Sequence, residues 1–129
     1  MDPISEKPLI DKLGVKRDHR VTVLGVDDAE FIAALESRCG AASRRLRQES
    51  DIIFFSAESR TDLSRITKLI PSLKQDGAVW VIYPKGVKPI MEANVREAGI
   101  AAGLVDNKVV RFSSTHTGLR FVIPLARRK

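Results

Sequence analysis

Asp27, Asp28, Glu58, Lys85 and His116 are the side chains of this 129-residue chain whose types could do chemistry together. A carboxylate (Asp27 or Glu58) as base, an imidazole as proton shuttle and an ammonium as anion clamp make a coherent acid–base set. Gly25, Ser56 and Thr115 are their sequence neighbours, a turn glycine and two hydroxyls. Each member also has an ordinary structural use. The aspartates can cap a helix, Lys85 can be a solvated residue past a strand, and His116 can sit in a turn. The spacing is not that of a local motif, so the set exists only if the fold gathers it. No metal is expected: His19 and His116 lie far apart, neither belongs to an H-x-E or H-E-x-x-H run, and Cys39 is the single cysteine. Cys39 precedes Gly40 at an expected helix end and reads as a half-buried structural thiol, without a disulfide partner in the chain.

The elements that must position these residues are legible from apolar periodicity. Gly77 to Pro84 is a nearly continuous run of β-formers between an Asp-Gly turn signal and a proline, which predicts a strand buried on both faces. Such a strand implies a parallel sheet with helices on both sides. A short helix is expected over 8–13, a strand over 20–26, a helix ending at Gly40, and a strand over 51–56. Leu63, Ile66, Ile70 and Leu73 recur at helical spacing after a Ser59/Asp62 capping box, with Pro71 ending or loosening that helix. A further helix runs from about Ile90 to Gly99 or Gly103, and strands over 108–113 and 119–123 close as an antiparallel hairpin. Residues 41–46 read either as a short edge strand or as a connection. Residues 1–7 are expected to be a loose N-terminus and 8–129 a single α/β domain. In such a sheet ligands bind outside the carboxyl ends of the strands, and the layout gathers Gly25, Asp27, Asp28, Ser56, Glu58, Lys85, Thr115 and His116 on that rim.

Composition narrows the classes of function. The net charge of +6 permits an anionic partner. Arg44, Arg45 and Arg47, and the terminal Arg127, Arg128 and Lys129, are the local basic concentrations and the possible anion contacts. The few aromatics fall in expected core strands rather than among these clusters, so base-stacking platforms are missing and nucleic acid is the lesser expectation. No apolar run approaches the length needed to span a bilayer and no signal sequence is recognised, so a cytoplasmic protein with no membrane partner is expected.

Two resemblances follow from particular residues. The order of elements, with Leu13-Gly14-Val15-Lys16 leading into the strand at Arg20, Leu73-Lys74-Gln75-Asp76-Gly77 turning into the central strand, and Ala98-Gly99 ending the last helix, resembles a shortened class I S-adenosylmethionine methyltransferase core. More narrowly, Lys12-Leu13-Gly14, the Trp80-to-Lys85 run, Ala102-Gly103-Leu104-Val105-Asp106-Asn107-Lys108 and Gly118-Leu119-Arg120-Phe121 resemble a small bacterial family of unknown function. The first resemblance implies a three-layer Rossmann-like sheet, mostly parallel, with a C-terminal antiparallel hairpin. It also implies a glycine-rich turn after the first strand, an acid ending the second, and a third strand with its helix. The chain departs at all three points, with Leu24-Gly25-Val26-Asp27-Asp28-Ala29 at the turn, arginines where the acid is expected, and too few residues between Leu46 and Asp51. The G-x-G-x-x-G of nicotinamide enzymes and the phosphate loop of nucleotide hydrolases are also absent. The expectation is a non-catalytic binding module on a degenerate methyltransferase-like fold, without a cofactor, that binds a protein partner, a second copy or a small anionic ligand. The alternatives are an S-adenosylmethionine-dependent enzyme with an altered cofactor site and a basic nucleic-acid-associated module.

Overall fold

A computed structural model describes residues 8–40 and 42–128. The expectation for residues 1–7 lies outside the described residues, as do Ala41 and Lys129. In chain order the elements are α1 (Leu9–Lys12), β1 (Val21–Leu24), α2 (Ala29–Cys39), β2 (Ser50–Ser56), α3 (Arg60–Leu63), β3 (Leu73–Pro84), α4 (Glu92–Ala101), β4 (Val105–Arg111) and β5 (His116–Val122). Short 3₁₀ segments occupy Ile66–Ser72, Lys88–Ile90 and Leu125–Arg127. The five strands form one sheet in the order β1-β2-β3-β5-β4. β1, β2 and β3 run parallel, and β5 is inserted antiparallel between β3 and β4.

The central strand explains the three layers. Along β3, Val79, Val81 and Tyr83 point to one face, and Trp80 and Ile82 to the other. The first face packs with Ile53 and Phe55 of β2 against Leu63, Ile66, Leu69 and Val95. On the second face Ile52 and Phe54 meet Ile10 of α1, Leu13 just after it, and Phe31 and Leu35 of α2. Trp80 is fully buried there, and its Nε1–H donates to the Leu13 carbonyl at 3.1 Å, tying α1 to the sheet. Phe31 adds edge-on contacts to Phe54 and Phe112, each with ring centroids 4.9 Å apart.

Four expectations about elements are corrected. The helix expected from Ser59 to Leu73 is one α turn, α3, followed by a 3₁₀ segment that contains Pro71. Proline lacks the N–H that a continuous α-helix requires. β3 begins at Leu73 rather than Gly77, because a bulge between Ser50 and Ile52 lets Leu73 pair with Ser50 before Ala78 pairs with Ile52. Gly77 lies at that bulge, where a Cβ would come within 2.8 Å of the Asp51 carbonyl oxygen. β4 begins at Val105 rather than Lys108, with a register shift between Asp106 and Lys108. The connection to β5 is 112–115, so His116 opens a strand. Residues 42–46 form no strand beyond a single parallel bridge from Ser43 to Thr22 on the outer edge of β1.

Candidate functional site

Seven of the eight rim residues line one cleft. Gly25, Asp27 and Asp28 follow β1, Ser56 ends β2, Glu58 follows it, Thr115 precedes β5 and His116 opens it; with Val26, Ile82 and Ser113 they enclose about 320 Å³. The parallel strands end together there, and β5 starts beside them because it runs antiparallel. Gly25 has φ +79, and a Cβ on it would meet the Ser56 Cβ at 3.3 Å, so glycine suits both the turn and the close approach. Lys85 shares the rim, since its N–H donates to the Thr115 carbonyl at 2.9 Å, but its exposed side chain is not part of the cleft wall. The anion-clamp role therefore has no footing in this cleft.

Hydrogen bonds link the two sides of the cleft. His116 Nε2 lies 2.9 Å from Glu58 Oε2, and His116 Nδ1 lies 2.9 Å from Thr115 Oγ1. Ser56 Oγ donates to the same Glu58 oxygen at 3.2 Å. The Glu58 main chain is held in turn, its N–H donating to Asp62 Oδ2 at 2.9 Å. Asp28 is the helix cap, accepting from the Phe31 N–H at 3.0 Å, while Asp27 stands almost fully exposed. With Asp27, Asp28 and Glu58 in the wall against one histidine, the cleft is acidic. A wider hollow of about 480 Å³, floored by Phe31 and Phe112, adjoins it through Asp28 and Ser113.

The sequence placed arginines after α2 but did not reveal that one of them bonds the turn after β1. Ser43, at the single bridge to β1, is followed by Arg44, whose Nη2 donates to the Val26 carbonyl at 3.3 Å and reaches Asp27 Oδ1 at 3.4 Å. The arginine therefore sits where the methyltransferase resemblance implies an acid. Arg45 and Arg47 engage through their main chains: the Arg45 N–H donates to Ser43 Oγ at 3.1 Å, and the Arg47 N–H donates to the buried Thr22 Oγ1 at 3.1 Å. The C-terminal basic residues are elsewhere. Arg127 lines a hollow with Glu49, Leu73 and Leu104 at the amino-terminal rim of the parallel strands, and Arg128 Nε donates to the Ile123 carbonyl. The two clusters do not share a rim, and Lys129 lies outside the described residues.

Among the described residues no group of three or more His, Cys, Asp or Glu is placed to hold a metal ion, and no helix is long and apolar enough to cross a membrane. His19 Nδ1 accepts from the Lys16 N–H at 3.1 Å within its own turn. Cys39 Sγ donates to the Leu35 carbonyl at 3.2 Å, and burial pushes its pKa up, away from the reactive thiolate.

Known structures decide the fold. A S-adenosylmethionine-dependent methyltransferase of Aquifex aeolicus superposes with a TM-score of 0.68, at 14% identity, over 95% of this chain and 90% of that one. A TehB-like methyltransferase of Corynebacterium glutamicum gives 0.55 at 13% identity, over 90% and 85%. The fold is that of the class I methyltransferases. An uncharacterised protein of Mycobacterium tuberculosis is 29% identical over 127 aligned residues, which cover 90% of this chain and 78% of the relative. No protein-family model matches the chain. In this chain the segment after α2 contributes only the Ser43 bridge to Thr22 of β1, and among the described residues no strand lies beyond it.

Proposed function

We propose that the protein is a non-catalytic binding module built on the class I methyltransferase fold, with the cofactor site lost. The observation that carries this reading is Arg44. A cofactor cradle needs backbone open to close approach after β1 and an acid on the neighbouring strand for the ribose. Here a single glycine, Gly25, is followed by two carboxylates, and the Arg44 guanidinium bonds to the turn itself at Val26 and Asp27. The residues present do not fit S-adenosylmethionine.

Thermal unfolding with and without S-adenosylmethionine and its demethylated product tests this reading. A ligand at about a hundred times its dissociation constant would add ~2.7 kcal/mol, or roughly 10 °C for a domain of this size. The expected shift is nil for both compounds, and a saturable rise with either would overturn the reading. The bonded Thr115–His116–Glu58 series in the rim cleft favours a second reading, an enzyme of methyltransferase type with an altered cofactor site. That reading requires methyl transfer to be detectable and to fall in His116→Ala.

A further inference from the structure

On the face of the sheet that carries α1 and α2, a second cleft of about 280 Å³ is lined by Lys12, Leu13, Gly14, Trp80, Asn107, Lys108 and Arg120. These residues come from four segments far apart in the chain, and they are the segments on which the narrower sequence resemblance rests. Folding brings three cations from them to one place, with no acid in the lining.

The placement is unfavourable as it stands. Lys108 and Arg120 are direct register partners across β4 and β5, where like charges repel. On its other side Arg120 pairs in register with the fully buried Trp80. Among the described residues none of the three cations forms an ion pair: Lys108 Nζ donates to the Lys12 carbonyl at 2.9 Å, and Arg120 Nη1 donates to Asn107 Oδ1 at 3.1 Å. Both partners are neutral. Burial, with Arg128 adding like charge, pushes the Arg120 pKa down, yet an arginine stays protonated and cannot escape by titrating. A half-buried guanidinium with a neutral partner is costly unless an anion completes it.

We propose that Lys12, Lys108 and Arg120 form a binding site for a phosphate-bearing small molecule, with the phosphoryl group between Lys108 and Arg120. The planar guanidinium fork suits a phosphoryl group, and the lysines supply point charges around it. The cleft is at the small end of ligand sites, so it holds a phosphoryl or pyrophosphoryl group with little beyond it. This inference rests on the binding-module reading and specifies its ligand. It moves the anion from the acidic rim cleft to the sheet face.

Trp80 is the only tryptophan in the chain and, though buried, backs the cleft beside Arg120, so its fluorescence is a local probe of occupancy. Pyrophosphate would be titrated at ionic strength held constant with chloride, following Trp80 emission and the unfolding midpoint. The expected result is a saturable change, with affinity falling about tenfold or more in Lys108→Gln and in Arg120→Gln. Both variants should unfold at or above the wild-type temperature, because removing one of two facing cations relieves repulsion. No saturable change, an unaltered change in both variants, or a response that follows ionic strength alone would overturn the site. An oligonucleotide that binds more tightly than pyrophosphate and is lost in the same variants would overturn the small-molecule assignment. Failure here would leave the absence of a methyl-donor site to be judged separately by the thermal measurements with that cofactor.

Discussion

Asp51 gives the clearest titration consequence of a single side chain. Burial alone would lift its carboxyl, but the Arg20 N–H at 2.7 Å and the Lys74 ammonium at 3.1 Å outweigh that, and the pKa lies below the usual carboxylate value. A folded pKa below the unfolded one means the native state binds the proton more weakly. The stabilisation is complete above the ordinary carboxylate pKa of about 4 and is lost as pH falls through the lower folded value. Chemical denaturation at a series of pH values should show this slope in the wild type and a flatter one below pH ~4 in Asp51→Asn. Residue identities carried much of the rim: Asp28 as a cap, Gly25 as a turn and His116 near Glu58 follow from local chemistry and strand direction. The Arg44 contact with the β1 turn and the Lys108–Arg120 pair were not legible, because each depends on which residues stand opposite one another across chain segments. Register is a property of pairing, and the bulge between Asp106 and Lys108 shifts it by a residue that no local signal marks.

At the scale of elements, the packing of α4 on the sheet hinges on Gly99. A Cβ there would overlap the Phe121 ring, so the helix approaches β5 as closely as backbone allows. Gly99→Ala gains helix propensity of about 1 kcal/mol at most, while overpacking against a buried aromatic costs roughly 1–3 kcal/mol. The net expectation is destabilisation, read as a lowered denaturant midpoint with an unchanged slope. Arg96 further fastens α4 to β4, bonding Asp106 at 2.9 Å from Nε while also holding Glu92. The strands with dense apolar runs were legible because burial on both faces leaves a continuous signal. The segment from Ser59 to Gly77 was not, since apolar residues at helical spacing fit an α-helix as well as a turn, a 3₁₀ stretch and an early strand start. Pro71 and the bulge opposite Gly77 decided it in the structure.

For the whole molecule, the alternation of strands and helices with a closing hairpin was enough to reach the fold, because few connections satisfy two covered faces and right-handed crossovers. Function does not follow from that fold, since unrelated activities share it. What marks this chain is a single bridge on the outer edge of β1 where the methyltransferase resemblance implies a strand, an arginine over the turn, and an acid-free basic cleft on the sheet face. The most direct test of the central claim is isothermal calorimetry of the wild-type protein with S-adenosylmethionine at millimolar concentration. The account predicts no saturable heat. A stoichiometric binding isotherm would show that the turn bonded by Arg44 still admits the cofactor and would contradict it.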